Sequence, residues 1–222
     1  MGDISLPLYL LHEKTGRRKH RDEMNKYFKA LYDDTSYRKI TETTIGIAGT
    51  GGLGSNCAMN LVRSGFTKFF LYDFDTVDYS NLNRQFFFRD QVGKAKVDAL
   101  QENLLRIEPS LDITCQKLRI TPENISSLFT ECTVVVEAFD EVAAKRMIVE
   151  SFLNSPKLLV AASGLAGYGN TESITVQKIK DTFYFIGDFT QGVTETTPPL
   201  SPRVNMVAAL QADTILTHIL TT

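Results

Sequence analysis

The stretch Thr44-Ile45-Gly46-Ile47-Ala48, running directly into Gly49-Thr50-Gly51-Gly52-Leu53-Gly54, decides the fold. A short apolar run reads as a buried strand, and the glycine cluster after it opens a helix extending to about Arg63. Glycine permits a tight turn there and lets the backbone approach a phosphate. The first turn of the helix then offers unpaired N–H groups and a partial positive charge to that phosphate. A second apolar run, Lys68-Phe69-Phe70-Leu71-Tyr72, ends at Asp73, nineteen residues beyond Gly54. A carboxylate at the end of the second strand accepts hydrogen bonds from ribose hydroxyls. Strand, turn, helix and acidic follower together point to nucleotide binding, against the plainer alternative of a helix-packing turn with no ligand. They leave NAD, FAD and ATP open.

Outward from that stretch the elements alternate. Residues 92–107 carry Val97, Leu100, Leu104 and Ile107 at helical spacing. Residues 111–117 alternate as a strand. Thr121-Pro122 has the form of a helix N-cap followed by Pro at the first helical position. Residues 133–136 form a β-branched strand, 141–154 a helix and 158–162 another buried strand. After Gly169, residues 173–179 and 183–186 read as antiparallel strands turning near Lys180-Asp181. A Thr- and Pro-rich loop over 189–202 and a final helix with Ala208, Ala212, Ile215, Leu216 and Ile219 on one side close the chain. The expected class is α/β: a Rossmann-like doubly wound sheet with helices on both faces, its parallel nucleotide-binding half followed by antiparallel strands. One domain is expected over 41–222, preceded by an N-terminal helical arm over 1–40. That arm holds a basic cluster, Arg17-Arg18-Lys19-His20-Arg21.

The composition narrows the function classes. In 222 residues, 24 Lys and Arg against 26 Asp and Glu leave a net charge of −2. That balance gives no support to nucleic-acid binding. No apolar run approaches the ~18 residues needed to span a bilayer, and the first residues lack the form of a signal peptide. The cysteines are three, Cys57, Cys115 and Cys132, widely spaced. They form neither a disulfide framework nor a C-x-x-C zinc site, so a reducing cytoplasmic location is expected.

A second group of residues bears on which nucleotide is bound. The loop from Asp73 to Gln85 contains Asn81, Arg84 and Gln85, and it leads to Val92-Gly93-Lys94-Ala95-Lys96. It lies at the carboxyl end of the sheet, where open α/β folds bind ligands. A triphosphate needs several cations there and a nicotinamide few. Arg84 offers a planar fork for phosphate and Lys96 a mobile point charge. The plain alternatives are an ion pair of Arg84 with Asp75, Asp78 or Asp90, and a solvated helix face for the lysines. Asp140, after Val134-Val135-Val136-Glu137-Ala138-Phe139, is placed either to hold Mg²⁺ beside phosphates or to cap the following helix.

The run G-T-G-G-L-G, then L-Y-D-F-D-T-V, S-N-L-N-R-Q, V-G-K-A-K and the late Asp140, resembles the ubiquitin-activating-enzyme-like adenylyltransferase superfamily. Within it, L-V-R-S-G, E-A-F-D, A-A-S-G-L-A-G-Y-G and S-P-R-V are similar to the short ThiF-type enzymes, which activate the sulfur carrier ThiS for thiamine synthesis. The resemblance covers about residues 40 to 220. It implies that Gly49, Gly51, Gly52 and Gly54 form the nucleotide loop and that Asp73 binds ribose. It implies that Asn81, Arg84, Gln85 and Lys96 surround the triphosphate and that Asp140 associates with Mg²⁺. It further implies a homodimer in which Arg17, Arg18 or Arg21 reaches the partner's ATP, and a ubiquitin-like carrier ending in Gly-Gly. Many relatives bind zinc through two C-x-x-C pairs, which three cysteines cannot supply; no zinc is expected. The loop over 189–202 has no cysteine, so sulfur is expected from a separate donor protein.

The reaction implied is adenylation of the carrier's C-terminal carboxylate, with ATP and Mg²⁺ as cofactors and Arg84, Lys96 and Asp140 as the catalytic set. A carboxylate with a reference pKa of about 3.5 is already ionised and needs no general base. Ser163-Gly164-Leu165-Ala166-Gly167-Tyr168-Gly169 lacks bulk and offers a path for the carrier's tail, or else is an ordinary turn. Other activities that share parts of this pattern are activation of a molybdopterin-type carrier, a tRNA-modifying dehydratase, a nicotinamide-dependent oxidoreductase and a non-catalytic binding module.

Overall fold

The computed structural model describes residues 26–189 and 197–222. Seven strands form one sheet: β1 (Thr44–Ala48), β2 (Lys68–Asp73), β3 (Asp112–Lys117), β4 (Val134–Glu137), β5 (Leu158–Ala162), β6 (Thr175–Lys180) and β7 (Phe183–Gly187). Their order across the sheet is β3-β2-β1-β4-β5-β7-β6. Every neighbouring pair is parallel except β6 with β7. The doubly wound α/β class is therefore as expected, and the one antiparallel pairing is the expected hairpin. That hairpin closes at the edge, because β7 returns to pair in parallel with β5 and leaves β6 outermost.

Among the described residues the helices include α1 (Asp34–Glu42), α2 (Gly52–Arg63), α3 (Lys96–Ile107), α4 (Ile125–Leu128), α5 (Val142–Phe152) and α6 (Ser201–Thr221). Asp33 caps α1 by accepting from the Thr35 and Ser36 N–H groups at 2.9 Å each. That helix crosses residue 40, where the arm was expected to end, and its Ile40 is buried in the main core. The basic cluster over 17–21 lies outside the described residues.

Alternate strand residues face two cores. Ile45, Ile47, Phe69, Leu71, Val134, Val136 and Val160 pack against α2, α3 and α6. Ala48, Tyr72, Val135, Leu159 and Ala161 pack against α4 and α5, chiefly Phe129, Ile148 and Phe152. Both faces being covered explains why these strands read as unbroken apolar runs.

Several predicted boundaries move, among them the strand expected over 173–179, which runs Thr175–Lys180. The helix expected from Val92 begins at Lys96, because residues 92–95 are held in a turn by Gly93 N–H to Val77 O and Val77 N–H to Lys94 O, both 2.8 Å. Thr121-Pro122 opens a turn, in which Asn124 Oδ1 accepts from the Thr121 N–H, and the helix that follows is one turn long. The helix expected over 141–154 is shorter at both ends.

Candidate functional site

The cavity lies where the winding of the sheet reverses. Strand β1 has β2 on one side and β4 on the other, so the segments after β1 and β4 leave in opposite directions and open a crevice at the carboxyl end. The cavity is about 520 Å³ and is lined by Gly49, Gly51, Gly52, Asp73, Arg84, Gln85, Lys96 and Asp140, with Ser163, Gly164 and Leu165 beside them. Eight predicted residues from five segments of the chain thus line one cavity. Two do not line it. Gly54 is buried against the loop: a Cβ there would lie 1.9 Å from Gly49 O. Asn81 turns back to its own 3₁₀ turn, where its Oδ1 accepts from the Asp78 N–H at 3.0 Å.

Asp73 organises the glycine loop. Its Oδ2 accepts from the Thr50 N–H at 2.7 Å and from the Thr50 hydroxyl at 3.2 Å. Its Oδ1 accepts from the Asp75 N–H at 2.8 Å. A carboxylate has about four acceptor positions, which leaves capacity for a sugar hydroxyl. Gly49 begins the turn at φ +91, a conformation that favours glycine.

The cations are held in place by neighbours. Lys96 is buried and donates to Asp75 Oδ2 at 2.7 Å, so it is not a solvated lysine. Arg84 makes no ion pair with Asp75, Asp78 or Asp90 among the described residues. Its Nη1 donates to Asn83 Oδ1 at 2.7 Å and to Ser80 O at 3.0 Å. Burial pulls the Arg84 pKa down, while the charge of Asp140 pulls it up. Asp140 sits exposed between β4 and α5 and caps nothing: the N-cap of α5 is Glu141, without a side-chain bond. Gln85 is 9% exposed and its Oε1 has no partner among the described residues, leaving an acceptor available at the cavity wall.

Sequence reasoning missed an ion pair at this wall, of which Lys145 lines the cavity and Glu137 lies beneath it. Glu137 is fully buried, and Lys145 donates to its Oε1 at 3.0 Å, to its Oε2 at 3.1 Å and to Ala162 O at 2.8 Å. Burial pushes the Glu137 pKa up, and Lys145 opposes this. The signal was available: an acid ending a fully apolar strand needs a partner. Phe74 and Arg119 were also missed. Both line the cavity, and the Arg119 guanidinium lies 3.7 Å from the Phe74 ring centroid. None of the cysteines lines the cavity. Burial pushes the Cys132 thiol up to about 12 and the Cys57 thiol higher, which suits packing and not nucleophilic chemistry.

The ThiF family model matches residues 24–222. The chain belongs to the ThiF family. Curated relatives of this ThiF-family protein include SUMO-activating enzyme subunit 2 of Dictyostelium discoideum, 32% identical over 156 residues, which are 65% of this chain and 23% of that one. Ubiquitin-like modifier-activating enzyme 5 of Oryza sativa subsp. japonica is 43% identical over 86 residues, 39% of this chain and 20% of that one. The ThiF-family chain thus spans about a fifth of the length of these relatives. Among solved structures, the E. coli tRNA N6-threonylcarbamoyladenosine dehydratase TcdA in complex with AMP superposes with a TM-score of 0.77 at 21% identity, covering 87% of this chain and 93% of that chain. E. coli MccB with ATP gives 0.64 at 21% identity, covering 83% and 58%. At such identities the likeness concerns the fold.

Proposed function

We propose that this protein adenylates the C-terminal carboxylate of a small ubiquitin-like carrier, of the ThiS type, and acts in the cytoplasm as a homodimer. The observation that carries the reading is the single cavity in which the glycine loop, Asp73, Arg84, Lys96 and Asp140 meet beside the open Ser163-Gly164 segment. The match to the ThiF family and the likeness to proteins named as ubiquitin-like modifier-activating enzymes support it.

In the reaction, a carrier carboxylate oxygen bonds to the α-phosphorus of ATP. The bond from that phosphorus to the bridging oxygen breaks, and pyrophosphate leaves with the electron pair. No proton need be removed from the acceptor. The work of the protein is orientation and charge compensation. Arg84 and Lys96, held by Asn83 and Asp75, face the phosphates, Asp73 holds the ribose, and the glycine loop holds the nucleotide in line.

A divalent cation fits these residues in part. Asp140 is a carboxylate without a hydrogen-bond partner among the described residues, and Mg²⁺ uses one or two carboxylates together with phosphates and water. No group of three His, Cys, Asp or Glu side chains among the described residues could hold a metal unaided. When bound beside the phosphates, Mg²⁺ supplies further neutralisation of their charge. Sulfur would come from a separate donor.

The test is mass spectrometry of purified ThiS-type and molybdopterin-type carriers incubated with ATP and this protein. A gain of one AMP on the carrier is expected. A tRNA-modifying dehydratase is the second reading, favoured by the 93% coverage of TcdA. Turnover of ATP dependent on threonylcarbamoyl-tRNA, with no carrier adduct, would replace the first reading by the second.

A further inference from the structure

Residues 163–170 leave β5 with Ser163, Gly164 and Leu165 lining the cavity, and the segment is tied at three places. Ser163 N–H donates to Ile186 O at 2.8 Å at the start, and Gly167 N–H donates to Pro198 O at 2.9 Å in the middle. The far end is held by Arg203, 4% exposed in the first turn of α6. Its guanidinium donates to the carbonyl oxygens of Gly169 and Asn170 and to the Asp188 carboxylate, which is also buried. Between the ties, Gly164 faces open space, with nothing within 4 Å of a Cβ built on it.

The next residue of α6 touches the other half of the site. Val204 lines the cavity, and its Cγ1 would stand 2.9 Å from a Cβ at Gly52 in the glycine loop. Consecutive residues of one helical turn therefore contact the nucleotide loop and the far end of the Gly164 segment. Pro199, just before α6, lines the same cavity, and its carbonyl accepts from Asn83, the residue that also braces Arg84.

We propose that Arg203 is a positioning residue, which registers residues 163–170 against the nucleotide loop so that the acceptor carboxylate and ATP meet in line. The proposal rests on the adenylation reading. An arginine suits the task because its planar fork reaches a carboxylate on one side and two carbonyls on the other at once; a lysine offers one point of attachment. ATP seated on the glycine loop presses on Val204, and the rigid first turn carries that constraint through Arg203 to Gly169 and Asn170.

Hydrogen–deuterium exchange of the full chain, with and without ATP, tests this in the wild type, Arg203→Lys and Asp188→Asn. In the wild type, ATP should slow exchange over 163–170 by about fivefold or more. In both variants that ATP-dependent slowing should fall below about twofold, with ATP affinity by calorimetry and the protection of residues 49–54 retained. A purely structural role would raise exchange over 163–170 equally with and without ATP and leave the ratio intact. An intact ratio in whichever variant folds overturns the proposal. Absence of ATP binding to the wild type would overturn the adenylation reading, and this inference with it.

Discussion

Arg84 and Lys96 reach the cavity from different segments, and each is braced by a neighbour whose removal would loosen it. Arg84→Ala and Lys96→Ala should each cut carrier-dependent ATP–pyrophosphate exchange by about 10²–10³-fold with an unchanged circular dichroism spectrum. Near-normal exchange in both would remove them from the reaction. Asp140 makes a sharper case, because Asn caps helices as well as Asp does. Since Asp140 caps nothing here, Asp140→Asn should lose exchange activity through its charge, most visibly when Mg²⁺ is limiting. Glu137 and Lys145 bear on stability, though Lys145 also lines the cavity. Lys145→Met would leave a buried carboxylate without its cation, costing about 3–5 kcal/mol at pH 7. With the pair broken, the folded pKa of Glu137 lies well above its unfolded value, so the folded state holds the extra proton. The deficit is then largest at high pH and shrinks as pH falls toward the unfolded pKa of about 4.3. Urea titrations of wild type and variant at pH 5 and pH 8 measure that slope, and a deficit independent of pH would show that the carboxylate finds other compensation.

The strand-loop-helix unit over 44–63 is the element on which the site depends. Its loop returns so closely on itself that Gly54 tolerates no side chain: its neighbour is backbone, the Gly49 carbonyl at 1.9 Å from a Cβ, which no rotamer can relieve. Gly54→Ala should destabilise the fold by about 1–3 kcal/mol and also weaken ATP binding, since the loop must open to accept the methyl group. Chemical denaturation and nucleotide titration on the same variant check both effects. This unit was legible in the sequence because its signals are local: glycines, an apolar run and Asp73 at fixed spacing. Lys96 was legible as a cation but not as a partner of Asp75, because that pairing depends on the turn held by Gly93 between them. That Glu137 needs a partner was legible, but the choice of Lys145 and the ties of Arg203 were hidden for the same reason. They join residues from separate elements, and nothing in the residues alone brings Asp188 to within reach of α6.

At the scale of the whole molecule, the order β3-β2-β1-β4-β5-β7-β6 places every contributor to the cavity at one end of the sheet. The alternation of strands and helices implied that end, because parallel neighbours all finish on the same side. The placing of β6 outside β7 was not implied: a hairpin fits either way round, and the packing of Phe183 and Ile186 in the two cores decides it.

That placement has a consequence for how copies of the protein meet one another. β6 is exposed along its whole length, and an open strand edge invites other chains to extend the sheet. Here the pairing register slips between Lys178 and Lys180, and those two lysines flank the exposed Ile179. Charge and an irregular edge together discourage fibrillar stacking, so the double variant Lys178→Val, Lys180→Val should keep its fold and yet precipitate on standing. Light scattering at raised concentration would record it, and a variant that stayed clear would mean that the bulge alone guards this side of the sheet.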